Sequence, residues 1–527
     1  MPQSFPNTGG AAARPGQPPH VNKSHAQATG GSKDYPQAPA IELPKGGGAI
    51  KGMGEKFAAN PVTGTGSMSV PIVISPGRSG FGPQLSLSYD SGNGNDAFGF
   101  GWKLSLPSIT RKTEKCLPLY RDEDESDVFV LSGHEDLIPV LTQVNGQWQR
   151  AFSDRELSGV DYRIYRYQPR VEGLFARIER WVNRHTHETH WRTITRDNVT
   201  TLYGKTANAR IADPATSPNN QPARVFSWLI SESYDDKGNA VVYEYKEENS
   251  DGLDLTQANE RNRTEESRSV NRYIKHIHYG NRQSRLVQPD LTQAKWLFEA
   301  VFDYGEHHTT TPRPDDDGKW PCRPDPFSTY RPGFELRTYR LCQRVLLFHH
   351  VPEEAEVGKN CLVRSTDLLY QAIRQTEDDV RKGLPMLSFV ASIQQQHYQR
   401  QARGYQKGAM PPLEFSYSSA LIGEEVRELD AESLANLPVG LDDAVYQWVD
   451  LDGEGLSGIL TEQGNAWYYK PNEGEGHFGP VQKVASRPSL VSLKFSLSHF
   501  KCLIARRPSQ ILCIFYIFNY FEGAVTY

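Results

Sequence analysis

QLSLSYDSGNGNDAFGFGWKLSL, residues 84–106, decides the fold class. Its first six residues, Gln84–Tyr89, alternate strictly, so Leu85 and Leu87 share one face of an extended chain and the serines take the other. Asp90-Ser91-Gly92-Asn93-Gly94-Asn95-Asp96 is a dense turn signal. Trp102–Leu106 alternates again. Between them, Phe98-Gly99-Phe100-Gly101-Trp102 sets glycines among aromatics, the pattern expected where backbone passes close beneath packed rings.

The same grammar runs outward in both directions. Ser67–Ser75 forms a strand before the turn Pro76–Gly80. Downstream, Asp127–Leu131, Leu137–Val144, Tyr162–Tyr167, Leu174–Trp181, Trp191–Thr195, Val199–Tyr203, Val225–Tyr234 and Ala240–Tyr245 read as strands. Tyr273–Tyr279, Trp296–Tyr304, Leu336–Phe348, Leu362–Tyr370 and Leu387–Ile393 extend the series. Asn145-Gly146 predicts a two-residue hairpin. Helical periodicity is confined to Gln371–Arg381 and Glu424–Leu437. The predicted fold class is all-β, which agrees with 25 Tyr and 22 Phe against only 5 Met.

At 527 residues the chain exceeds one hydrophobic core, so several units are expected. Residues 1–60, rich in Gly, Pro, Gln and Ser, are expected to be a disordered leader, with order beginning near Gly64. A β domain spans 61–420, and a polar linker 421–440. Residues 441–488 read as one element of a β-propeller (a strand, an acidic glycine-rich loop, a short strand, a turn and an aromatic strand), which cannot bury its own faces. Residues 489–527 depart in composition, with the apolar-aromatic run Ile511–Phe521, and are read as an aberrant tail, a reading frame lost after about Pro488, with a membrane-inserting tip as the competing reading.

A net charge of −5 over this length gives no electrostatic reason for nucleic acid as a partner. No run of 18 apolar residues predicts a membrane span, and no basic-then-apolar segment predicts a signal peptide. Among the six cysteines there is no C-x-x-C pair. Free buried thiols are expected, with one disulfide within Cys322–Cys361 left open.

The most metal-like feature is Asp450-Leu451-Asp452-Gly453-Glu454-Gly455. Asp450, Asp452 and Glu454 fit the alternating oxygen ligands of a calcium loop, but Gly458 stands where a further carboxylate is wanted. Calcium is therefore the one cofactor the sequence suggests; a plain turn held by Asp side chains is the competing reading. His185, His187 and His190 have metal-like spacing but read as a hairpin tip, as do His307-His308 and His349-His350. Glu473-Gly474-Glu475, with Arg364, Ser365 and Thr366 upstream, superficially matches the glutamate pair of ADP-ribosylating toxins, yet Ser365-Thr366 continues into a strand. No P-loop, G-x-S-x-G or H-E-x-x-H occurs, and the chain is expected not to be an enzyme.

Ser75–Gly92 (SPGRSGFGPQLSLSYDSG), after Pro71-Ile72 and followed by Asn95–Leu104 (NDAFGFGWKL), is similar to the opening of the SpvB family, whose domains begin the Salmonella plasmid virulence protein and the B components of insecticidal toxin complexes. Arg364–Tyr370 (RSTDLLY) is a second familiar stretch, and Trp448–Gly455 (WVDLDGEG) resembles the start of the B-component propeller. The resemblance implies an SpvB-type β domain in a structural and delivery module. Its B and C components enclose a toxic polypeptide in a shell of Rhs repeats, and its propeller gates onto a pore-forming A component. It implies A and C components as partners and an extracellular destination after synthesis in the cytoplasm. The remaining propeller blades, the Rhs repeats and the ADP-ribosyltransferase domain of the Salmonella protein have no match here, so this chain is not expected to enclose cargo alone; an SpvB-like ADP-ribosyltransferase toxin lacking its catalytic domain and a non-functional gene fragment are the alternative readings.

Overall fold

The computed structural model describes residues 55–484, apart from 61–64, 115, 133–134, 172, 174, 217–222, 372–386, 403, 418–427, 438–445, 452–455, 464–465 and 475. Strand accounts for 47% and helix for 6% of the described residues, an all-β fold. The quoted stretch folds as its alternation predicts. Thr65–Pro71, Ser86–Asp90 and Trp102–Leu104 form an antiparallel meander with Val70 opposite Leu87 and Leu87 opposite Leu104. Order starts earlier than Gly64: Lys56–Asn60 pairs with Thr65–Pro71, its backbone satisfied by the ladder although its side chains resemble a linker.

The glycines of the aromatic stretch are required. Gly99 and Gly101 take φ of +94° and +81°, and a Cβ on Gly101 would stand 2.4 Å from the Tyr89 ring. Asn95 and Asp96 are clamped from below: Arg323 donates to Asp96 O (2.8 Å) and Asn95 Oδ1 (2.8 Å), while buried Asp325 accepts from Asn95 Nδ2 (2.8 Å) and from Ser388 N (2.7 Å). A motif that stands out in the sequence is thus a structural clamp.

Eight strands close a barrel. Ser108–Arg111, Phe129–Leu131, Glu135–Pro139, Val160–Pro169, Arg177–Asn183, Thr189–Ile194, Thr200–Tyr203 and Val225–Tyr234 each pair antiparallel with the next, and the last returns to the first with Trp228 opposite Ile109. An eight-stranded barrel is narrow enough for side chains to fill, and here aromatic rings fill it. Phe129, Tyr167, Trp191 and Trp228 pack together, ring centroids 4.9–5.9 Å apart. The Arg111 guanidinium lies over Phe129 and Trp228 and is neutralised by Asp122 (2.6 Å) and Asp127 (2.7 Å).

Val225–Tyr234 is the branch point. Ser227–Leu229 pair with Ser108–Arg111 to close the barrel, whereas Glu232–Tyr234 pair with Thr200–Tyr203 on one side and Ala240–Glu247 on the other. From there Arg272–Asn281, Trp296–Asp303, Arg344–Val351, Gly358–Tyr370, Val390–Arg400 and Tyr405–Ala409 continue one antiparallel sheet. Ile277, Tyr279, Ala300, Phe302 and Leu347 point to the main core, which also takes Val70, Leu87, Phe98 and Trp102.

Leu336–Phe348 is not the single strand expected. Leu336–Thr338 pairs with Phe327–Thr329, and the main sheet resumes at Arg344. Arg340 interrupts it: its buried guanidinium pairs with buried Glu248 and donates to Trp320 O (2.9 Å) and Asn249 O (2.7 Å), bonds a ladder residue pointing to one face could not all make. The predicted helix Glu424–Leu437 is reduced, among the described residues, to one turn, Ala431–Leu434, capped by Asp430. Gln371–Arg381 lies almost wholly outside the described residues, as do residues 1–54 and the tail.

The Asn145-Gly146 hairpin forms, both residues at positive φ, between Leu141–Val144 and Gln147–Arg150. Tyr446–Val449, Gly458–Gln463, Ala466–Lys470 and Gln482–Lys483 make a separate four-stranded antiparallel sheet. Cys116, Cys322, Cys342 and Cys361 are all free thiols, Cys342 and Cys361 buried. Among the described residues no helix is long and apolar enough to cross a membrane.

Candidate functional site

On the sheet face turned away from the main core, three histidines gather around one carboxylate. His276 and His278, two apart on Arg272–Asn281, project to the same side because side chains on a strand alternate. The register places Glu299 directly opposite His278, and Glu244 opposite His276 on the other flank. His350 comes from the next strand along. Glu299 Oε1 lies 2.8 Å from His276 Nδ1 and 3.9 Å from His278 Nδ1, and its Oε2 lies 2.9 Å from His350 Nε2. The His276 and His278 rings are nearly parallel, centroids 5.7 Å apart, and Trp296 stacks on His278 at 6.0 Å. Glu299 is 7% exposed in its side chain; the three imidazoles are half-buried, and Glu244 stands at the rim.

Burial works against ionisation of Glu299, but hydrogen bonds from His276 and His350 outweigh it and hold the carboxyl well below its ordinary range. For His278, burial alone would lower the imidazole; Glu244 and Glu299 outweigh it and raise it.

A second group, Glu306, His307 and Asp316, lies nearby. A β-bulge between Glu244 and Tyr245 leaves Lys275 as the extra residue, and Lys275 and His276 line the same shallow cleft with Lys246 and Asp316. The Lys275 ammonium already fills the centre of that group, bonded to Glu306, to Asp316 (2.9 Å) and to His307 Nε2 (2.7 Å). A metal cation there would meet a buried positive charge, so this group is a closed ion-pair network.

The residues singled out in the sequence fall elsewhere. Asp450 follows the Tyr446–Val449 strand, while Asp452 and Glu454 lie outside the described residues, so the calcium reading rests on the sequence alone. His185 and His187 are exposed at a hairpin tip, as read; His190 packs against Trp181 at 5.6 Å. His307, His349 and His350 overturn the hairpin-tip reading: His307 is buried by the Lys275 network, His349 lies in the sheet opposite Phe298, and His350 sits within the sheet beside Glu299. Ser365 and Thr366 are buried inside Gly358–Tyr370, whereas Glu473 belongs to the short strand Asn472–Gly474 of another sheet. The H-x-H spacing at His276 and His278 was available in the sequence; Glu299, twenty-odd residues on, is supplied only by strand register.

The fold defines a class, a small closed barrel that branches into a long antiparallel sheet. The model described as Salmonella virulence plasmid 65kDa B protein matches residues 60–351, more than half of the chain, and the chain belongs to this SpvB family. It is 37% identical over 322 residues to mono(ADP-ribosyl)transferase SpvB of Salmonella typhimurium, a match covering 59% of this chain and 51% of that protein. The chain thus spans about half the length of the curated relatives it matches. The solved N-terminal domain of effector protein SpvB from Salmonella typhimurium aligns with a TM-score of 0.54 at 33% identity, covering 63% of this chain and 98% of that one. The crystal structure of TcdB2-TccC3 aligns with a TM-score of 0.63 at 30% identity, covering 86% of this chain and 21% of that one.

Proposed function

We propose that this chain is a wall segment of a toxin-complex shell of the B-component kind, acting by holding partners and not by chemistry on a substrate. One observation carries the reading: likeness to TcdB2-TccC3 extends over 86% of the chain, against 63% for the isolated SpvB domain. A long antiparallel sheet with an aromatic-filled barrel at its root suits a rigid wall. The Tyr446–Lys483 sheet has the strand number of one propeller blade, which supports its reading as the first blade of a gate. The partners are then a C component that completes the shell and an A component that receives the gate, and the chain leaves the cell as part of that assembly.

Purified chain should bind an immobilised TccC3-type C component saturably; no binding above a control surface would count against the shell role. A second reading, the amino-terminal part of an SpvB-type effector, is favoured by the 37% identity to a mono(ADP-ribosyl)transferase. Incubation with labelled NAD and cell extract separates the question of enzyme activity: the shell role expects no labelled acceptor protein.

A further inference from the structure

We infer that His276, His278 and Glu299 form a binding site for a divalent transition metal of the zinc class, independently of the shell role. One ligand atom from each lies within 4.8 Å of those of the other two. A tetrahedral zinc ion with bonds of about 2.0–2.2 Å needs its ligand atoms about 3.3–3.6 Å apart, so small side-chain rotations close the site. Two imidazoles and one carboxylate are a borderline donor set that suits zinc, cobalt or nickel better than calcium or magnesium, which take oxygen. Three protein ligands leave a fourth position for a water molecule or another donor.

The surroundings assign each remaining group a supporting role. His350 Nδ1 accepts a hydrogen bond from Asn360 N (3.3 Å), so in the neutral ring Nε2 carries the proton and donates to Glu299 Oε2. His350 therefore stays off the metal and fixes Glu299 with Oε1 toward His276 and His278. Glu244 Oε1, 3.7 Å from His278 Nε2, is placed to hold that nitrogen's proton when Nδ1 binds the ion, the carboxylate–histidine–metal arrangement that orients ligands in metal sites. The ligands and their supports come from four adjacent strands, so a bound ion would pin them in register.

The test is a titration of the full chain, stripped with EDTA and dialysed, with cobalt(II) chloride, followed by visible absorption. One equivalent should produce the intense d–d bands of a four- or five-coordinate ion, and zinc should abolish them. His278→Gln should weaken cobalt binding at least tenfold and Glu244→Gln about tenfold, whereas the double variant His185→Gln/His187→Gln should bind as the unaltered chain does. A wild-type spectrum showing only the weak bands of the aqueous octahedral ion would overturn the inference. So would unchanged binding by a folded His276→Gln/His278→Gln chain. Absence of the intense bands from the wild-type chain refutes the site by itself, so the inference stays falsifiable even where a variant fails to fold.

Discussion

Replacing Trp228 with Ala should destabilise the chain by about 3–5 kcal/mol, the range for emptying a fully buried aromatic site. Trp228 is 0% exposed, closes the barrel opposite Ile109, and packs edge-on against Phe129 at 5.7 Å and Trp191 at 5.9 Å. Its indole N–H donates to Thr189 O at 3.0 Å, a bond worth about 1 kcal/mol net. Its ring also covers the Arg111 guanidinium, which would lose one of its aromatic faces. Trp228→Phe keeps most of the packing and loses mainly the hydrogen bond, so it should cost markedly less. Trp148, 69% exposed beside the Asn145-Gly146 hairpin, is the matched control, and Trp148→Ala should stay within about 0.5 kcal/mol. Urea unfolding followed by far-ultraviolet circular dichroism avoids the loss of a fluorophore. If Trp228→Ala and Trp148→Ala proved equally mild, the closed, aromatic-filled barrel would be wrong.

Gly101→Ala should be strongly destabilising, because φ is +81° and the new Cβ would meet Tyr89 at 2.4 Å, whereas Gly146→Ala, also at positive φ but with open space around it, should cost less; thermal melts compare them. Burial, with help from Arg210, Lys205 and Arg192, pushes the His190 imidazole down to about 4. Its folded pKa lies below the unfolded value, so the folded state binds fewer protons, and stability is retained above about pH 6.5 and lost as pH falls toward 4, by about 3 kcal/mol at most. His190→Asn should flatten that part of the stability–pH curve measured by urea unfolding, and an unchanged slope would contradict the assignment. Under native conditions a thiol reagent should modify exposed Cys116 but spare Cys342, whose thiol burial pushes well above its ordinary range; peptide mapping before and after denaturation reads the difference.

Much of this fold was legible in single residues and their spacing. Leu85 and Leu87 announced a two-period strand, Asn145-Gly146 a hairpin, and Gly99 and Gly101 a close backbone approach. Barrel closure was not legible, because it depends on Ile109 meeting Trp228, far apart in the chain, and no local pattern encodes a long-range register. The break in Leu336–Phe348 was not legible because Arg340 sits inside an otherwise strand-like run, and only the partner Glu248 explains why it turns inward. The histidine cluster was half legible. His276 and His278 share a face by alternation alone, yet the same spacing at His185 and His187 drew attention to an exposed tip. What distinguishes the two is Glu299 on the neighbouring strand, which the sequence does not place.

The shell role is tested most directly by a chimaera in which residues 60–484 of this chain replace the aligned region of TcdB2 in a TcdB2–TccC3 assembly. Particles are imaged by electron microscopy and the enclosed C-component segment is probed with protease. A shell-wall role predicts closed particles of the parental outline with that segment protected. Open or dissociated particles with the segment digested, from a chimaera whose barrel remains folded, would contradict it.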